Sequence, residues 1–192
     1  MKTIYPGQFD TDCDDCGSYK PHPRNSKIID DNKGKVLKFK DLPKPAQCAI
    51  AYYMAIDGEA WELEPNIEDF LDDFWATHDN QNSRHYDESC AKIKVILEKN
   101  IQFYIDEYGN EKFGYVEVPT NELVESVNFD KNISADWNTL IDHRRNTAHN
   151  LTDWPSILSG FHDETFEDGW NRFFNAIDTN KQIHPCVWFP HV

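Results

Sequence analysis

Apolar side chains recur at helical spacing along several stretches of the chain and alternate along others, with polar runs between them. Pro45 is placed to open a helix, and Ala46, Ala49, Ile50, Tyr53 and Met54 line one stripe of it up to Gly58. Behind the cap Asn66, the residues Ile67, Phe70, Leu71, Phe74 and Trp75 fall at i, i+3, i+4, i+7 and i+8, which predicts a second helix with one buried face. A third, capped at Asp87 or Ser89, runs through Glu98 with Cys90, Ile93, Ile96 and Leu97 inward. Residues 35–40 alternate as a short strand. Ile101, Phe103 and Ile105 then alternate with Gln102, Tyr104 and Asp106, Tyr108–Glu111 reads as a turn, and Phe113–Val118 returns, the pattern of a hairpin. Shorter helices are predicted from Thr120 (Leu123 and Val127 inward), from Ser134 (Trp137, Leu140, Ile141) and from Asp163 (Phe166, Trp170, Phe173, Phe174, Ile177). The apolar, proline-bounded segment 184–192 should dock against the body, since Val187, Trp188 and Phe189 would otherwise be exposed together.

These elements predict an α+β fold: a mostly helical single domain with a small antiparallel sheet built on the hairpin near 101–118, with 35–40 as its third strand. Residues 1–35, with Gly7, Gly17, Pro21, Pro23 and Gly34 and little periodicity, read as an irregular arm, and 36–192 as the globular domain. At 192 residues the chain is long enough to bury a core, and an aromatic content of 14% sets it apart from a disordered acidic polymer.

Charge changes this picture most. The chain carries 34 acidic against 19 basic side chains, a formal net charge of −15. The stretch Pro45–Ser83 contains neither lysine nor arginine and holds nine carboxylates: Asp57, Glu59, Glu62, Glu64, Glu68, Asp69, Asp72, Asp73 and Asp79. On the predicted second helix, Glu68 and Asp72, and likewise Asp69 and Asp73, are like charges one turn apart, each pair costing a few tenths of a kcal/mol. The apolar stripe turns those four carboxylates outward as a rigid acidic face. A surface of this sign repels nucleic acid and anionic membranes and draws in a basic partner. The N-terminal residues lack the apolar core of a secretory signal, and an odd, scattered set of five cysteines is no disulfide framework, so a reducing, cytoplasmic setting is expected.

Candidate chemistry is sparse. Cys13-Asp-Asp-Cys16 followed by His22 offers one half of a tetrahedral zinc site, which His184, Cys186 or His191 would have to complete. The expectation is a protein without a cofactor, zinc being the one ion for which ligands suggest themselves. His162-Asp163-Glu164 and His78-Asp79 lack a matched second half and read as caps and loops. No nucleophile elbow, phosphate-cradling glycine loop or dinucleotide fingerprint occurs.

Within Asp142-His-Arg-Arg-Asn-Thr-Ala-His-Asn150, Arg144 and His149 stand five apart, which resembles the R-x4-H motif of HEPN-domain ribonucleases. That resemblance covers some seven residues. It implies an all-helical bundle acting on RNA, with Arg144 binding phosphate, Arg145 at the polar position after it and His149 as general acid or base.

The acidic face supports a different reading. Carboxylates one helical turn apart lie about 5–6 Å from each other, and duplex DNA carries one charge per roughly 3.4 Å of rise on each strand. In size, acidity and aromatic content the chain resembles, in kind, the small acidic inhibitors that phages and mobile elements use against restriction and CRISPR systems. The expected function is therefore a non-enzymatic inhibitor of nucleic-acid-mimic type. It would bind a basic nuclease or nucleic-acid-binding effector through the nine carboxylates, without contacting nucleic acid or membrane itself. An acidic protein–protein adaptor and the HEPN-like ribonuclease are the alternatives.

Overall fold

The computed structural model describes residues 23–57, 61, 83–127, 153–160 and 165–190; the side chains of 23, 56, 57 and 83–90 lie outside that description. Helix α1 (Pro23–Asp31) leads to strand β1 (Lys35–Lys38), a 3-10 turn (Phe39–Asp41) and helix α2 (Lys44–Tyr52), which widens into a π-helical turn (Tyr53–Asp57). The long helix α3 (Ser83–Tyr108) runs into strand β2 (Lys112–Pro119), followed directly by helix α4 (Thr120–Val127). Strands β3 (Ser156–Leu158) and β4 (Phe166–Asp168), helix α5 (Trp170–Asp178) and strand β5 (Ile183–Trp188) complete the described chain.

The five strands form one sheet in the order β1-β2-β5-β3-β4. Three of its four pairings are antiparallel. The fourth, β3 with β5, is parallel, with Ser156 opposite Cys186 and Ile157 opposite Val187. Because side chains alternate along a strand, β2, β3 and β5 each feed two cores. On one face, Phe113, Ile157 and Val187 pack with Phe39, Leu42, Trp61, Trp154 and the inner stripes of α2 and α3. On the other, Val116, Val118, Leu158, Phe166, Cys186 and Trp188 pack with Ile28 and Ile29 of α1, Leu123 and Val127 of α4, and Phe173 and Phe174 of α5. The body is thus a sheet between two helical layers, an α+β architecture.

Several elements form as their sequences dictate. In α2, Pro43 sits extended at the N-cap, and the amides of Ala46 and Gln47 donate to its carbonyl at 2.9 and 3.0 Å. Pro45 lies in the first turn, where its missing N–H has no intrahelical partner to lose. β1 and α4 occupy the stretches their patterns predict, and the apolar segment near 184–189 does dock, as the central strand of the sheet.

Other expectations are corrected. Residues 101–108 are not a strand but the last turns of α3, so the hairpin near 101–118 does not exist and the sheet is mixed rather than antiparallel. Ile101, Phe103 and Ile105 alternate. Yet Ile93, Leu97, Ile101 and Tyr104 repeat at i, i+4, i+8 and i+11, and that helical stripe is the one buried. A helix already nucleated upstream gains one hydrogen bond for each added residue and no new nucleation cost, so it runs on until Gly109. The predicted turn does occur, as a helix-to-strand turn in which the Glu111 amide donates to the Tyr108 carbonyl at 2.9 Å. Part of the stretch 1–35 assigned to an irregular arm is regular. Residues 23–31 form α1, whose Ile28 and Ile29 belong to the core and whose Asn25 side chain donates to the carbonyls of Ser159 and Thr165, both at 3.0 Å. Helix α5 is capped not by Asp163 but by Gly169, and Phe166 belongs to β4.

Candidate functional site

The residues singled out for partner and metal binding fall almost wholly outside the described residues: Glu59, Glu62, Glu64, Glu68, Asp69, Asp72, Asp73 and Asp79 of the acidic stretch, Cys13, Cys16, His22 and His191 of the zinc reading, and Arg144 and His149. Asp57 is placed by its backbone alone, at the end of the π-helical turn. Two residues named as completing a zinc site are described, and the structure assigns them elsewhere. His184 and Cys186 point from β5 into the interior, and both are fully buried. His184 bonds Ser156, and Cys186 lies among apolar neighbours, where burial drives its thiol pKa upward. A thiol held protonated by its surroundings is a poor metal ligand. Among the described residues no cluster of three or more His, Cys, Asp or Glu gathers where a metal could sit.

Sequence reasoning did not foresee the cluster around these two residues. Ser156 on β3 and His184 on β5 face the same side of the sheet, and Ser156 Oγ lies 2.8 Å from His184 Nε2 and 2.9 Å from the Gly169 carbonyl. A carbonyl only accepts, so the serine proton goes to Gly169. Nε2 of the imidazole must then carry the proton it donates to the serine oxygen. This fixes the tautomer and leaves Nδ1 as a bare acceptor with no hydrogen-bond partner. Burial first, and the nearby cations Lys181 and Arg172 after it, push the His184 pKa down from 6.5 to about 3. Gly169 closes the cluster. Its φ of +94° lies in the left-handed region, and a Cβ there would meet the Cα and Oγ of Ser156 at 2.7 Å. One turn on, the buried Arg172 guanidinium pairs with Asp168, whose side chain is 26% exposed.

A serine beside a histidine suggests nucleophilic catalysis, but the proton inventory runs the wrong way. The imidazole donates to the serine rather than taking its proton, and neither group reaches solvent. The cluster instead ties β3, β5 and the start of α5 together. The two described thiols are no better placed. Burial, reinforced by Glu98, raises Cys48 to about 12, and burial likewise drives Cys186 upward.

The charge is unevenly divided along the chain. Pro45–Ser83, with nine carboxylates and no lysine or arginine, alone accounts for nine of the fifteen excess negative charges. Within the described body the most basic stretch is the start of the sheet. Lys33, Lys35, Lys38, Lys40 and Lys44 are all exposed around β1, with Lys112 next to them on β2. No described helix is long and apolar enough to cross a membrane. The all-helical bundle implied by the R-x4-H resemblance is not the fold of the described residues, which carry a five-stranded sheet. No family model, curated protein or solved structure matches this chain.

Proposed function

We propose that this protein is a non-enzymatic binding protein that presents the acidic stretch around Glu59–Asp79, together with Asp57, to a basic protein that handles nucleic acid, such as a restriction nuclease or CRISPR effector. The observation that carries this reading is the segregation of charge. Pro45–Ser83 holds nine carboxylates and no lysine or arginine, nine of the fifteen excess negative charges of the chain. Charge selected for solubility alone would be spread over the whole surface. A concentrated block of one sign raises the association rate with a basic groove and competes there with phosphates.

The test is competition. Labelled duplex DNA or RNA bound to purified restriction nucleases and CRISPR effectors should be released by the wild-type protein, with release weakening as salt rises. The triple variant Asp69→Lys, Asp72→Lys, Asp73→Lys should not release it. Displacement that survives the triple reversal would overturn the reading, as would RNA cleavage by the purified protein that disappears in His149→Ala.

A further inference from the structure

The start of the sheet supports a second surface of opposite sign. Among the described residues β1 is an outer strand, paired with β2 on one side only. The register pairs Lys35 with Tyr115, Val36 with Gly114, Leu37 with Phe113 and Lys38 with Lys112, and just beyond it the Phe39 amide donates to the Glu111 carbonyl at 2.7 Å. In an antiparallel ladder, residues two apart direct their backbone groups the same way. Lys35 and Leu37 therefore spend their amides and carbonyls on β2, as Phe39 does its amide, while both backbone groups of Val36 and the amide of Lys38 face outward; the Phe39 carbonyl accepts from the Leu42 amide and the Gln47 side chain, and the Lys38 carbonyl opens the 3-10 turn. Val36 is 51% exposed, and the position beside it on β2 is a glycine that projects no side chain.

The side chains state what this edge will accept. Lys35 shares a face of the sheet with the core residues Phe39 and Phe113, and Lys38 stands beside Lys112 on the opposite face, where its ammonium reaches Asn110 at 3.4 Å. Among the described residues Lys33, Lys35, Lys40, Lys44 and Lys112 take part in no ion pair; Asp41 and Glu111 are the carboxylates of this neighbourhood. Lysines on an outer strand guard against edge-to-edge pairing of identical copies, since two such strands would set cation against cation. The same lysines select for a strand of the opposite sign.

We infer that the β1 edge is a docking site for an extended acidic segment of a partner protein, which adds to the sheet as a sixth strand. Its backbone pairs with both groups of Val36 and with the Lys38 amide, an apolar residue lies beside Val36, and carboxylates on both sides of that residue meet Lys35 on one face and Lys38 with Lys112 on the other. Because carboxylates are needed on both faces, the segment is a run of acidic residues around one apolar position. The residues of this edge lie outside the acidic stretch Pro45–Ser83 in the sequence, and neither inference depends on the other.

The probe is the capped peptide Gly-Glu-Glu-Val-Glu-Glu-Gly, titrated into the full-length 15N-labelled protein at low salt. Its addition should shift and protect from exchange the amides of Val36 and Lys38, and leave those of Leu37 and Phe39, already bonded to β2, little changed. Val36→Pro removes an outward N–H without breaking the β1–β2 ladder and should weaken binding by at least about tenfold. The surface variant Lys35→Glu with Lys38→Glu should do the same while keeping the dispersed spectrum of the folded protein. A peptide with glutamine in place of glutamate should bind at least about tenfold more weakly. Equal affinity for Val36→Pro and wild type would reduce the site to diffuse charge attraction and overturn the proposal. So would equal binding of the glutamine peptide, or no amide shift at millimolar acidic peptide. A salt-sensitive self-association lost in Val36→Pro would also overturn it, in favour of an acidic segment from a second copy.

Discussion

Between the sheet and helices α2 and α3, the core is almost entirely a matter of shape. Trp61 stacks on Tyr108 with ring centroids 4.1 Å apart and meets Phe39 edge-on at 5.1 Å, while Phe39 in turn meets Phe113 at 5.9 Å. Between the sheet and helices α1, α4 and α5, aromatic packing through Phe166 and Phe173 is interleaved with buried polar groups: Asn25, Ser126, Ser156, Thr165, Arg172 and His184. Burial of aromatic surface is strong but non-directional, so the first core holds the layers together without fixing how they sit. Hydrogen bonds to Gly169, Ser159 and Thr165 have direction, and they set the sheet, α1 and α5 in one arrangement at the cost of desolvating the groups that make them.

The comparison breaks most visibly on the aromatic side. Phe39→Ala should cost about 3–5 kcal/mol, because a fully buried ring contacting Trp61 and Phe113 leaves a cavity that rigid neighbours cannot refill. Urea or guanidinium unfolding measures it, and a loss under about 1 kcal/mol would mean this core adapts freely. On the polar side, Arg172→Ala should cost about 3 kcal/mol by stranding Asp168 without its partner. The double variant Asp168→Ala, Arg172→Met should cost clearly less than the two single changes added together, so a double-mutant cycle sharpens the contrast between directional and non-directional cohesion. Additive losses would mean that the pair is held by its surroundings rather than by each other.

The smallest effect is read from pH. His184 binds its proton near 6.5 in the unfolded chain and near 3 in the folded one. Between those values the unfolded state holds more protons, so stability is greatest above pH 6.5 and falls as pH drops toward 3. The slope is at most about 1.4 kcal/mol per unit. Chemical unfolding at pH 7, 6 and 5 should show this decline, and His184→Gln should flatten it. An unchanged slope in the variant would remove His184 as its source.

Legibility in the sequence divides along the same line. The stripes of α2 and α4 and the apolar segment that becomes β5 were readable, because periodicity reports which side chains avoid water. The alternation at 101–105 misled because five residues fit a strand and the end of a helix alike, and only the length of α3 upstream decides between them. The polar cluster left no signal. Ser156 and His184 are 28 residues apart, and their meeting depends on a parallel pairing of β3 with β5 that local spacing does not encode. Of the nine carboxylates offered as a binding surface, the structure places only the backbone of Asp57, so that face rests on the amphipathic pattern of 66–75.

The position of β5 has a consequence for how the molecule is made. Among the described strands, the two outer pairs, β1 with β2 and β3 with β4, are joined in the sheet only through β5, whose residues 183–188 follow the other four strands in the chain. Until those residues emerge, the nascent chain holds two half-sheets, each with an open inner edge. Pairings this distant in sequence form slowly, and open strand edges are where nascent chains aggregate. Assembly is therefore gated by synthesis: the last strand to appear is the keystone, and a chain stopped short of Ile183 is a client for chaperones rather than a smaller version of the fold.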